Sequence, residues 1–186
     1  MQKFFLTTIL LMACLYMSAQ KVTSYSTTQE QSWKKAQTAL SGKARGKVVA
    51  DVKEQSKGIR FVAFGTTFNE YYNWNFILKD NGISPWGWTQ NALIQVDGKP
   101  RKMRYTAEYY AYKHFRHFVQ EGSEMLAYDG REYSKTPVVV FRDKRGQYIV
   151  TMGNFTDAEA SLTVKVGKKY LNVQAKPHSF NTYIWK

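Results

Sequence analysis

The sequence predicts a mainly β protein: an antiparallel β-sandwich joined to a βα unit, with one main helix near 106–120. Three observations carry this. From Glu124 onward, short apolar runs recur about every ten residues with turn residues between them, the rhythm of a strand meander. Within one of these runs, Leu162, Val164 and Val166 alternate with Thr163 and Lys165, giving one buried and one wet face. Between Tyr109 and Val119, by contrast, Ala111, Tyr112, Phe115, Phe118 and Val119 recur at helical spacing and line one face.

Taken in order, residues 1–19 read as an export signal. Lys3 supplies a positive start, Phe4–Leu15 is an apolar run too short to span a bilayer, and Met17-Ser18-Ala19 offers a small-residue cleavage site before Gln20. The expected location is the periplasm or the exterior. An alternative is a lipoprotein, because Leu11-Met12-Ala13-Cys14 approximates the box that presents a cysteine for acylation. Cys14 is the only cysteine, so removal of the whole signal leaves neither a disulfide nor a thiol nucleophile. No membrane-spanning candidate follows residue 20.

Residues 20–58 are polar, with patches such as Lys47–Val52 of strand character, and are expected to add N-terminal strands to the sandwich. Ile59–Phe64 reads as a buried strand and leads into Phe68-Asn69-Glu70. Tyr71–Leu78 is an aromatic-rich strand bounded by the turn Lys79-Asp80-Asn81-Gly82, and a long connection carrying Trp86 and Trp88 follows. Thr106 suits a helix N-cap, Glu108 suits the positive end of the helix dipole, and Gly122 can adopt a left-handed stop. Residues 121–186 supply the remaining sandwich strands: Met125–Tyr128, Val138–Arg142, Tyr148–Met152, Leu162–Val166, Leu171–Ala175 and Ser179–Trp185. Asp143-Lys144-Arg145-Gly146 and Gly167-Lys168-Lys169 are hairpin turns between them.

At 186 residues the chain has room for one domain with a core, and its formal charge is +13. The basic residues are scattered from Lys34 to Lys169 rather than gathered on an arginine-rich helix, so a solvated basic surface is expected and nucleic acid is not a partner. An anionic polysaccharide or a negatively charged envelope surface would suit the same charge.

The order YNWN, ISPWGWTQNALIQVD, YYAYKHFRHFVQEGSEML resembles the last βα unit of glycoside hydrolase family 30, which includes glucosylceramidases and β-glucanases. The resemblance continues through VVVFRDKRGQYIVTMGNFTDAEASLTVKV and HSFNTYIW, which look like the C-terminal strands of that family's sandwich. It implies a sandwich beside a (β/α) barrel. A whole barrel needs about 250 residues by itself. Residues 59–120 therefore look like a barrel remnant: strand one, strand eight and the last helix, joined at Glu70–Tyr71 with the intervening units missing. The two strands would be neighbours in a closed barrel and can pair in parallel. Their outer edges would be open and would invite self-association.

Hydrolysis in this family uses two carboxyls about 5–5.5 Å apart, as nucleophile and as acid/base. The Asn-Glu-Pro motif of the acid/base is absent, since none of Pro85, Pro100, Pro137 and Pro177 follows a glutamate. Glu70 precedes the last barrel strand but sits in a strand-one context, so it is a weak nucleophile candidate without a partner. The expectation is a structural or weakly carbohydrate-binding relative that has lost its catalytic pair. The alternatives are a glycosidase that rebuilds its pocket by oligomerising, and a basic envelope-interaction module. Trp74, Trp86, Trp88 and Asn91 are the candidate contacts to a β-glucan or glucoside, because indole faces stack on sugar rings and amides bind hydroxyls. With most of the pocket gone, filling the core between barrel remnant and sandwich is favoured over sugar contact for these tryptophans. His114 and His117 lie three apart on the helix without a third ligand, so no metal is expected. One should pack at the helix–sheet junction and the other face solvent, while His178 has no evident partner. No cofactor motif is present.

Overall fold

A row of apolar side chains turned to one side of eight strands decides the architecture. The computed structural model describes residues 20–27, 33–56, 61–63, 66–68, 75–79, 82–98, 102–130 and 135–186. The first strands are β1 (Lys21–Thr27), β2 (Trp33–Ala39), β3 (Lys47–Ser56), β4 (Phe61–Ala63), β5 (Thr66–Phe68), β6 (Ile77–Lys79), β7 (Ile94–Asp97) and β8 (Lys102–Tyr105). Helix α1 (Ala107–Phe118) follows, then β9 (Glu124–Asp129), β10 (Val138–Arg142), β11 (Tyr148–Asn154), β12 (Ala160–Val166), β13 (Lys169–Ala175) and β14 (Ser179–Trp185). The protein is mainly β, and α1 lies inside the span marked out for it by sequence.

Nine strands form one sheet in the order β13-β12-β3-β9-β10-β11-β14-β1-β2. The sheet folds over so that its two halves face each other. Val49, Ala50, Val52, Leu162, Val164, Leu171 and Val173 from β3, β12 and β13 meet Val22, Val138, Val140, Val150, Met152, Tyr183 and Trp185 from β1, β10, β11 and β14. Leu126 of β9, the strand between the two halves, is fully buried in the same core. Tyr148 and Trp185 pair across β11 and β14, with their rings stacked at 5.4 Å. The sheet nearly closes on itself: after β2, Ser41 exchanges two backbone hydrogen bonds of 2.9 Å with Tyr170 of β13.

Local chemistry explains the turns. Between β10 and β11, Asp143 Oδ1 accepts from the Arg145 and Gln147 amides at 2.8 Å each, and Gly146 takes φ 73°. The loop from β2 to β3 is held by Asn172 on β13. Its Oδ1 accepts from the Arg45 amide and from Thr163 Oγ1, and its Nδ2 donates to Ser41 Oγ and the Lys43 carbonyl. Gly46 is required beside this clamp, because a Cβ would lie 2.6 Å from the Ser161 carbonyl oxygen.

Two pairings differ from the sequence reading. The large sheet is not wholly antiparallel: β3 runs parallel to β12, with a register shift at Thr163/Val164. More than a hundred residues separate these strands, so a crossover is available. The second difference concerns the expected strand pair flanking Glu70. β4 pairs antiparallel with β5, Phe61 opposite Phe68, because two residues suffice to close that hairpin locally. β6, the described end of the expected Tyr71–Leu78 strand, pairs in parallel with β7 instead, and β7 pairs antiparallel with β8. Glu70 and residues 71–74 lie outside the described residues. Among the described residues, no helix is long and apolar enough to cross a membrane.

Leu126 and Leu171 are each fully enclosed. Truncating either to alanine removes methyl groups from the middle of the folded-over sheet and leaves a cavity. Urea denaturation of Leu171→Ala is expected to show a loss of about 2–5 kcal/mol.

Candidate functional site

The exposed face built by residues 75–98 takes its position from α1. Phe118 of the helix meets Phe141 and Ile149 on the outer face of the large sheet, with Phe115, Tyr25 and Ile184 around them. The Tyr25 and Phe118 rings are 4.6 Å apart. His114 lies one turn earlier and is fully buried. Its Nε2 bonds to Thr27 Oγ1 at 3.0 Å and its Nδ1 to Thr182 Oγ1 at 2.9 Å, and Thr182 Oγ1 bonds in turn to Thr151 Oγ1 at 3.0 Å. This chain of hydroxyls stitches α1 to β1, β14 and β11. Burial, and then the nearby Lys113 charge, push the imidazole down from 6.5 to about 4. His114 is therefore neutral at pH 7, with both ring nitrogens engaged and no lone pair left for a metal. His117 faces outward and is exposed, so the two histidines part as the sequence suggested.

At the other end of α1, Thr106 caps the helix by accepting from the Tyr109 amide at 3.3 Å. Its own hydroxyl lies 3.0 Å from the Ala92 and Leu93 carbonyls, and its amide donates to the Leu93 carbonyl at 3.0 Å. One residue thus begins the helix and fixes the start of β7.

Between β6 and β7 the chain forms a tight hairpin. The Gln90 amide donates to the Gly82 carbonyl at 2.8 Å, Ile83 pairs with Thr89, and the Ser84 amide donates to the Trp88 carbonyl at 2.9 Å. At the tip, Gly87 N–H closes on the Ser84 carbonyl at 2.9 Å and Gly87 takes φ 84°, with Pro85 at the turn's second position. Gly82, with φ 74°, admits no side chain: a Cβ would lie 2.2 Å from the Gln90 carbonyl oxygen.

The tip carries Trp86 and Trp88, exposed at 75% and 57%. The expectation that these tryptophans fill the core is corrected for both. A turn this tight points consecutive side chains outward, so neither indole can reach the sheet. Their ring centroids are 5.6 Å apart with planes at 35°. Asn91 follows at the base of the hairpin and is also exposed. Trp74 lies outside the described residues, as does Glu70.

A groove of about 690 Å³ runs along the opposite face of α1, lined by Phe76, Leu93, Tyr109, Tyr112, Lys113 and Arg116 among others. The sequence reading put Tyr112 on the apolar face with Phe115 and Phe118, whereas it lines this groove; Tyr109, Lys113 and Arg116, which share the groove at helical spacing, were given no role. It also missed the three threonines around His114, which lie far from it in sequence and on different strands.

Among the described residues, Asp51 and Asp129 stand opposite each other on β3 and β9. Each is taken up by a lysine: Lys165 reaches Asp51 at 2.7 Å and Lys53 reaches Asp129 at 2.8 Å. Their outward position and cationic partners make them a surface charge network rather than an acid and a nucleophile. His178 does have a partner, Asp157 Oδ1 at 2.8 Å from its Nε2. No group of three or more potential metal ligands occurs among the described residues.

No family model matches the sequence, and no curated protein matches it. Solved structures do. An endo-β-1,6-glucanase superposes with a TM-score of 0.50 at 20% identity, covering 60% of this chain and 26% of that one. SrfJ from Salmonella typhimurium gives 0.50 at 21% identity, covering 60% and 25%. The fold is similar to that of a part of each of these two structures. The chain spans about a quarter of the length of these two structures.

Two outcomes test the site's architecture. Gly82→Ala is expected to open the hairpin and move the Trp86 and Trp88 fluorescence while leaving core stability nearly unchanged. The second concerns His114. Between pH 6.5 and 4 the unfolded chain binds a proton that the folded chain does not, so this contribution is whole above 6.5 and is lost as pH falls toward 4. Urea midpoints measured across that window should fall for the wild type, and more shallowly for His114→Gln.

Proposed function

We propose that this chain is an exported, non-hydrolytic relative of family 30 glycoside hydrolases that binds a neutral β-linked glucan through Trp86 and Trp88. One observation carries the reading: two indoles stand exposed on a hairpin that three backbone hydrogen bonds hold in shape. Exposed tryptophans lose the burial energy their area would supply, so two held side by side on a stiff tip suit a ligand with an apolar face. The rings of β-linked glucose offer such faces, lined with C–H groups and rimmed by hydroxyls. Holding the tip rigid before binding reduces the ordering cost that binding would otherwise incur. Asn91 and Gln90 supply amides beside the indoles for the rim hydroxyls.

Two further observations support the carbohydrate class. The residues around the hairpin resemble the last βα unit of family 30, and the fold is similar to that of a part of an endo-β-1,6-glucanase. The proposed loss of hydrolysis rests on the missing Asn-Glu-Pro motif and on Asp51 and Asp129 being ion-paired. Export rests on the character of residues 1–19.

A second reading has its own support. The charge of +13, with Lys113 and Arg116 in the groove, suits an anionic envelope surface. Calorimetric titration with a soluble neutral β-glucan separates the two. The expected result is binding that survives 0.5 M salt, weakens about tenfold or more in Trp86→Ala (~1.4 kcal/mol), and is accompanied by no turnover of an aryl β-glucoside. Binding that collapses with salt transfers the role to the basic surface. Turnover abolished by Glu70→Gln restores the enzyme.

A further inference from the structure

We infer that the tryptophan pair selects single, twisted polysaccharide chains over flat polysaccharide surfaces; this rests on the carbohydrate reading above. The geometry of the two rings carries it. Their centroids are 5.6 Å apart and their planes make an angle of 35°. If one indole lies flush on a planar array of sugars, the other is raised by up to roughly 3 Å, whereas a radial gap of about 0.5–1 Å already forfeits a quarter to a half of a dispersion contact. A flat surface therefore engages one ring at a time. A free chain is different, because consecutive residues rotate about the chain axis and present their faces at an angle to each other. Such a chain can meet both indoles at once.

The hairpin fixes the points from which the two rings project. Trp86 occupies the turn itself and Trp88 the first paired position after it, with Ser84 bonded to both Gly87 and Trp88. Moving the two Cα positions relative to each other would require breaking the Ser84–Trp88 hydrogen bond of 2.9 Å or changing the Gly87 backbone, which already sits at φ 84°. Side-chain rotation alone moves each ring about a Cα that the turn holds fixed. Other exposed apolar residues, Phe76 at 61% and Ile83 at 61%, lie on the same stretch of chain.

The full chain is tested in three arms: a soluble linear β-glucan oligosaccharide by calorimetry, microcrystalline cellulose by depletion, and vesicles of anionic phospholipid by co-sedimentation. The expected outcome is binding to the soluble chain, with Trp86→Ala and Trp88→Ala each weakening it at least tenfold. Trp88→Phe should stay within about threefold, and depletion by crystalline cellulose should not exceed that of the Trp86→Ala/Trp88→Ala double variant. Tryptophan-dependent retention on crystalline cellulose as strong as on the soluble chain overturns the selectivity and leaves the carbohydrate reading standing. Tryptophan-dependent binding to vesicles alone, or binding to none of the three, overturns both. Because both indoles are exposed, far-ultraviolet circular dichroism of the variants should match the parent, so loss of binding is not loss of fold.

Discussion

The docking of α1 on the outer face of the sheet is the constraint from which the exposed hairpin inherits its place. A lone imidazole is costly to enclose unless its polar atoms are satisfied. Here Thr27 and Thr182 satisfy both nitrogens, on two adjacent strands whose register the large sheet already sets. The bonds are directional where the surrounding Phe118, Phe141 and Ile149 contacts are not. The phenylalanines supply the affinity of helix for sheet, and His114 fixes its rotation and longitudinal position. Thr106 then passes that position to β7, and the hairpin follows.

Charge is arranged differently from polarity. The described ion pairs, Lys53–Asp129, Lys165–Asp51 and Arg142–Glu124, lie on outer surfaces between neighbouring strands. Lys53 has its affinity for protons raised by its hydrogen bond to Asp129 and by the charges of Asp129 and Asp51. Pairs of this kind hold strand register more than they stabilise the fold. At one end of the sandwich Ser24, Ser26, Ser179, Asn181 and Tyr183, with Gln174 and Lys176, line a polar pocket of about 160 Å³. Ser24 faces Tyr183 and Ser26 faces Asn181 across β1 and β14, so the inward row turns from apolar to polar along both strands together.

Much of this was legible in the sequence, for a physical reason. The six strands after α1 are short runs rich in apolar residues, separated by turns with strong local chemistry, such as Asp143 to Gly146. Local signals suffice for such elements, and the observed strands fall where those runs put them. The helix was equally legible through its period and its Thr106 cap. What escaped was long-range. Nothing near β3 announces that it will lie parallel to β12, and nothing near His114 announces the three threonines around it. The exposure of Trp86 and Trp88 was misjudged because hydrophobicity was weighed above turn geometry. Ser84-Pro85-Trp86-Gly87 carries the Pro and Gly of a tight reversal, and a residue at the tip of such a turn has no core within reach.

The position of β14 between β1 and β11 has a consequence for how the polypeptide is made. Residues 21–27 are made more than 150 residues before one of their two partner strands, residues 179–185, and β14 is also the link to β11 and the rest of the sheet. Until those residues leave the ribosome, the sheet has a gap in its middle and α1 lacks part of its seat. Contacts so distant in sequence form slowly. In a nascent chain of this topology β1 and β11 wait for the strand that joins them, and the large sheet is completed only when β14 arrives.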